Sequence, residues 1–266
     1  MDTKSGDRSV KPIIRIEDTS NVTIENVVLA GANGGGGFHR HLVGQAGLDL
    51  RSSSNVSILN VSVVNTFGDG LTAFANFPID KSPTSDLVVN GLNITNAGRQ
   101  AITMAFVTDS ILNNVTVNSA SGSGWDFESD LPGIGSGNII VSNSRSTKGV
   151  RFVEALRGPI MFDNCQCQRH VALMNDAAAS RQVVIFNGGT LLLPNTDHGI
   201  SKAGITVRGP GRLVFDGVVI GRLPASRSPS GPAWSVTGGG FLALVRSPVA
   251  VPLGYSDRGS TVVTIK

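Results

Sequence analysis

Several short stretches of the 266-residue chain concentrate side chains able to do chemistry. NAGRQAITM carries Arg99 and Gln100, and GSGWDFESD carries Asp126, Glu128 and Asp130. GVRFVE adds Arg151, FGDGL adds Asp69 and GLDL adds Asp49. The glycine-rich GANGGGGFHRHLVGQ adds His39 and His41. Carboxylates beside guanidinium groups can transfer protons, accept hydrogen bonds from ligand hydroxyls or hold a hard cation such as calcium. They can equally form plain salt-bridge ladders. Asp69 also fits an Asp-Gly turn, and the two histidines a solvated loop. The GGGG run precedes no helix, so it is no phosphate loop.

Spacing says how these groups are presented. Asp126 and Glu128 alternate with Trp125 and Phe127, which is the period of a strand. The aromatic pair is expected inside and the two carboxylates outside, exposed to solvent. By the same alternation Asp49, Thr72, Thr103, Asp126, Arg151 and Ala172 form one outward column. Arg51, Phe74, Ala105, Glu128 and Val153 form a second.

A repeat must hold these strands. SNVTIENVVL at Ser20 returns as SNVSILNVSV at Ser54, with a weaker echo, SILNNVTV, at Ser110. Aligning the copies gives a column of Asn26, Asn60, Gly91, Asn114, Asn143, Asn164, Gly188 and Gly217. Apolar residues stand two and four before most markers, and most often one after, so the strand period runs on both sides and slips at the marker. Asn and Gly enter the left-handed backbone region at little cost. The column therefore predicts a one-residue corner between two short strands, with stacked asparagine amides. GLDL, GLTAF, AITM, GWDFE, GVRFVE, HVAL and GITV supply a third strand between successive markers. Three short strands per turn and glycine-rich corners describe a parallel β-helix, an all-β solenoid of about eight coils.

Over residues 13–220 the repeat resembles the right-handed parallel β-helix superfamily of pectate lyases, polygalacturonases and phage tailspikes. Right-handed winding is implied by that resemblance. The Arg99-Gln100-Ala101-Ile102 strand followed by Gly124-Trp125-Asp126-Phe127-Glu128 is similar to a pattern of bacterial pectate-lyase-like proteins, with Ala101 in place of the usual Gly. The resemblance implies a polysaccharide partner, an extracellular or cell-surface location and a polysaccharide lyase or glycoside hydrolase. In a hydrolase, Asp126 or Glu128 is the general acid and Asp69 the partner carboxylate. In a lyase, Asp126, Glu128 and Asp130 hold calcium while Arg99 and Arg151 stabilise negative charge. Gln100, Asp49, His39 and His41 complete the candidate substrate contacts. The paired Asp-Asp and the Gly-His-Gly of polygalacturonases are absent. The alternative is a non-catalytic surface, phage-tail or glycan-binding β-helix.

Composition agrees. The net charge of +3 permits an acidic partner without demanding one. No basic run with interleaved aromatics points to nucleic acid, and no apolar run reaches the length of a membrane span. A single domain over residues 1–266 is expected, with a looser C-terminal coil or loop region over 221–266 and STVVTIK as a final strand. No N-terminal amphipathic cap precedes IIRIEDTSN, so self-association or a missing cap is expected at that end. Cys165 and Cys167, two apart on one strand, are expected to be buried thiols.

Overall fold

The computed structural model describes residues 11–35, 37–75, 82–129, 135–153, 156–174, 182–194, 204–223, 233–249, 255–256 and 259–266. Among them the only helical element is the 3-10 turn Arg40–Leu42. Among the described residues no helix is long and apolar enough to cross a membrane. All the rest of the regular structure is parallel strand.

One sheet of ten strands holds the predicted third-strand set. Its order follows the chain: Ile14–Glu17, Leu48–Arg51, Leu71–Phe74, Ile102–Met104, Trp125–Phe127, Val150–Val153, Val171–Met174, Ile205–Arg208, Trp234–Thr237 and Tyr255–Ser256. A second sheet of fourteen strands contains the marker repeats. Sheet strands from successive turns lie side by side, so the chain winds as a solenoid with its core between the sheets. The predicted end strand is Thr261–Ile265, paired in register with Phe241–Val245. The N-terminal cap question falls on residues 1–10, outside the described residues.

The core is the inward half of the alternation. Leu48, Leu50, Leu71, Ala73, Ile102, Met104, Trp125, Phe127, Val150 and Phe152 are all buried. Aromatic rings fill the middle turns: Phe127 stacks on Phe152 at 5.0 Å between ring centroids and meets Phe162 edge-on. The row continues as Phe162 on Phe186 at 4.7 Å and Phe186 on Phe215 at 5.0 Å. Cys165 and Cys167 lie buried in the same interior as free thiols. Burial pushes the Cys165 thiol up to about 11 and Cys167 higher still, so neither is a nucleophile at neutral pH.

The eight marker residues all take positive φ, from 49° at Asn143 to 77° at Gly91. Amide stacking is partial: Asn60 donates to Asn26 at 3.2 Å and Asn164 to Asn143 at 3.0 Å, whereas Asn143 donates to Asn113. Two features differ from expectation. The corner does not always end a strand, because Ser54–Val64 and Thr84–Thr95 run through it while the burial phase slips at Asn60 and Gly91. A second left-handed column also exists, at Asn21, Asn55, Asp86, Asp109 and Asn138, with φ between 52° and 59°. Its side chains bond across turns, Asn55 to Asn21 at 2.6 Å and Asn138 to Asp109 at 3.1 Å.

Asn114 has φ 53° and donates its backbone N–H to Ser142 of the next turn. A β-branched residue there meets steric strain and weakens that pairing. Asn114→Val is expected to cost about 1–3 kcal/mol, and Asn114→Gly much less, read from denaturation midpoints. Equal midpoints for both variants and the parent would contradict this account of the corner.

Candidate functional site

Strand alternation aims Asp126 away from the core while Trp125 and Phe127 point into it. The outward face is nonetheless covered at this level. Asp126 is 1 % exposed, against the expectation of a solvent-facing carboxylate. The cover comes from the neighbouring turns. Arg151, one rung on in register, donates Nε to Asp126 Oδ1 at 2.8 Å and an Nη2 proton to Oδ2 at 2.6 Å. Gln100 reaches in from the preceding turn and donates to Oδ2 at 2.9 Å. Its own Oε1 accepts a short hydrogen bond from the Ser123 N–H. Gly122 makes this approach possible, since a Cβ there would overlap the Gln100 carboxamide.

Asp69 is the second buried carboxylate, also 1 % exposed. It accepts from Thr103 Oγ1 at 2.6 Å, from the Gln100 N–H at 3.0 Å and from Arg99 Nη1 at 3.2 Å. The turn that presents it needs Gly70, because a Cβ there would meet the Ala101 carbonyl oxygen at 2.8 Å. Burial raises the Asp69 pKa, while Arg99, Thr103 and the Gln100 N–H pull it down; burial wins.

Glu128 joins the two halves. Arg99 Nη2 donates to its Oε1 at 3.1 Å, and Arg151 Nη2 lies 3.4 Å from its Oε2. The result is a chain of groups, Asp69–Arg99–Glu128–Arg151–Asp126–Gln100. Its exposed side is made by Glu128, Arg99 and Arg151, whose side chains are 19 %, 33 % and 21 % exposed. The hydrogen bond to Asp126 raises the Arg151 pKa, helped by the charges of Asp126 and Glu128; burial is the largest single effect on Arg99, but Asp69, Glu128 and Asp126 together outweigh it and raise its pKa. Both guanidiniums stay charged.

The structure therefore brings together Asp69, Arg99, Gln100, Asp126, Glu128 and Arg151. Asp49 stands elsewhere. In the outward column it is separated from Asp126 by Thr72 and Thr103, and it is buried rather than solvent-facing. Arg15 and Arg51 hold it, with Nε–Oδ2 distances of 2.9 Å and 3.1 Å. His39 packs edge-on against Phe67, at 5.2 Å between centroids, and His41 is exposed in the 3-10 turn. Neither histidine joins the hydrogen-bonded network. Asp130 lies outside the described residues. Sequence reasoning passed over Thr103; its signal was a hydroxyl in the outward column one rung from Asp126.

Calcium does not fit the described donors. The oxygens of Asp126 and Glu128 are taken up by guanidinium and carboxamide protons, and two fixed cations stand where a third would have to enter. Among the described residues no three His, Cys, Asp or Glu side chains converge to hold a metal.

Comparison with solved structures places the backbone. The tailspike protein gp49 from Pseudomonas phage LKA1 matches 93 % of this chain with a TM-score of 0.56 at 12 % sequence identity. The chain has the parallel β-helix fold. It spans about half of that tailspike, 49 % of its length. No family model matches the chain, and no curated protein matches it.

The buried and exposed members of this β-helix network should separate in stability experiments. Removing the charge of Asp126 leaves Arg151 without its main partner, so Asp126→Asn is expected to cost about 3 kcal/mol. Glu128→Gln, at the surface, should cost less than about 1 kcal/mol. Trp125→Ala, a core truncation, should cost about 3–5 kcal/mol. Denaturation midpoints that place Asp126→Asn beside Glu128→Gln would show that the pair is not buried in solution.

Asp69 gives a pH signature. Its folded pKa is raised, so its stabilising contribution is full below the ordinary value of 3.8 and is lost as pH rises through the folded pKa. Stability of the parent should therefore fall more steeply with pH above 3.8 than that of Asp69→Asn. Parallel stability–pH curves for the two proteins would contradict the burial argument.

Proposed function

We propose that the protein is a carbohydrate-active β-helix that lays an acidic glycan across the outward face of the ten-stranded sheet and cleaves it as a polysaccharide lyase. Right-handed winding in about eight regular coils, and action at a cell surface or outside the cell, belong to the same reading. The observation that carries it is the arrangement of Glu128 between two partly exposed guanidiniums, each anchored from beneath by a buried aspartate.

A sugar carboxylate is a direct competitor for those guanidiniums. As it takes the outer protons of Arg99 and Arg151, it releases the Glu128 carboxylate from its two ion pairs. Buried Asp69 and Asp126 hold the two arginines in place during the exchange. Glu128 then accepts the proton α to the sugar carboxylate, and the arginines neutralise the charge that builds on that group. The electron pair forms the new carbon–carbon double bond as the glycosidic oxygen leaves from the β carbon and takes a proton from water. Hydrolysis by paired carboxylates has less support, because both acids must reach the sugar and Asp69 and Asp126 are covered.

A second reading is a non-catalytic glycan-binding module. It is favoured by the double pairing of Glu128 with Arg99 and Arg151, which suits recognition as well as chemistry. Incubation with uronic-acid and neutral polysaccharides distinguishes the readings, following ultraviolet absorbance of unsaturated ends and the release of reducing ends. The expected result is unsaturated product from a uronic-acid polymer, reduced about 100-fold or more in Glu128→Gln. Reducing ends without unsaturation would replace the lyase by a hydrolase. Binding without either product would leave the recognition module.

A further inference from the structure

A second cationic group lies on the same outward face, nearer the N-terminal end of the sheet. Asp49 is buried beneath Arg15 and Arg51, with Arg51 Nη2 at 3.0 Å from Oδ2. The two guanidiniums keep open surface, with side chains 37 % and 26 % exposed. Arg51 also lies over the Phe74 ring, 4.6 Å from its centroid, a cation–π contact that fixes its plane. The design matches the Glu128 site: a buried aspartate orients partly exposed arginines.

The two groups are aligned by register. Arg51 pairs with Phe74, whose strand pairs through Met104 with Phe127 and so with the rung of Glu128. Three rungs separate them, about 14 Å at the usual strand spacing.

A cleft begins where this row meets the corner. The Asp18 N–H donates to the Arg51 carbonyl at 3.0 Å, and Asp18 and Ser52 turn the chain there with φ 50° and 43°. The hollow behind them has a volume of about 760 Å³ and is lined by Asp18, Thr19, Ser20, Ser52, Ser54 and Ser85, with Ser82 and Pro83. It is an open depression on the surface rather than an enclosed pocket. Its walls are mainly hydroxyls and a carboxylate, which suit a hydroxyl-rich ligand far better than an apolar one.

We propose that this depression, which begins at Ser52 beside Arg51, forms together with the Arg15–Arg51 pair a distal subsite for the same acidic polysaccharide. The chain runs along the sheet from Glu128 over Phe74, sets a second anionic group on the Arg15–Arg51 pair and seats hydroxyls in the corner. The substrate is then a long polyanion, and short oligomers lose the distal contact. This inference rests on the glycan reading of the Glu128 site.

The test compares dissociation constants for polygalacturonate and alginate with those for their short, size-fractionated oligomers. Arg51→Gln is expected to shrink the polymer's advantage over oligomers about tenfold, as for one lost charge-assisted contact. Ser20→Phe, which fills the cleft without touching the buried aspartate, should shrink it likewise. If both variants keep the parent's polymer advantage while Glu128→Gln weakens binding of polymer and oligomer alike, the distal subsite is wrong and the glycan reading survives. If Glu128→Gln binds and turns over every glycan like the parent, the Glu128 site is wrong. Because the distal subsite is placed relative to the Glu128 site, that result overturns it as well.

Discussion

The structure depends on single residues at the corners of each turn that occupy the left-handed backbone region. Each such residue redirects the chain without interrupting backbone pairing to the turns on either side. Register is preserved because the corner consumes the same single residue every time. Once the corners align, alternation does the rest: an inward side chain in one turn sits over an inward side chain in the next. The buried ladder of aliphatic and aromatic residues and the outward columns of the ten-stranded sheet follow from that one backbone choice.

This is also why the fold was legible in the sequence. Asn and Gly share few properties beyond tolerance of positive φ, so a column holding only those two types has a nearly unique explanation. The second corner was legible in principle. Asn21, Asn55, Asp86, Asp109 and Asn138 each precede a marker by five residues, and SNV is part of the repeated phrase itself. Aspartate in that column obscured it, because Asp reads first as a surface charge.

The site was half legible. Alternation gave the correct direction for Asp126 and Glu128 and the correct neighbours in Arg99, Gln100 and Arg151. It did not give burial, because direction relative to the sheet is not depth relative to solvent. Long arginine and glutamine side chains from adjacent turns fold over Asp126, and only the geometry between turns reveals that. Asp49 shows the converse error: it shares the outward column, but three rungs along a solenoid is a different neighbourhood. The two aspartates deep in the network are better understood as anchors than as reagents. A buried charge must be paired, and the groups that pair it are held to a narrow set of positions, so rigidity is conferred on the arginines that a ligand would meet.

The order of the ten-stranded sheet follows the order of the chain, and each rung touches only its neighbours. Mechanically, the two ends of the described chain are the two ends of a stack. In a stack of this kind, the loss of one rung removes pairing only from its neighbours and does not collapse the whole body. The strands bearing the carboxylate–guanidinium network are the third to sixth of the ten. Paired rungs thus lie on both sides of it, so the network is braced from two directions.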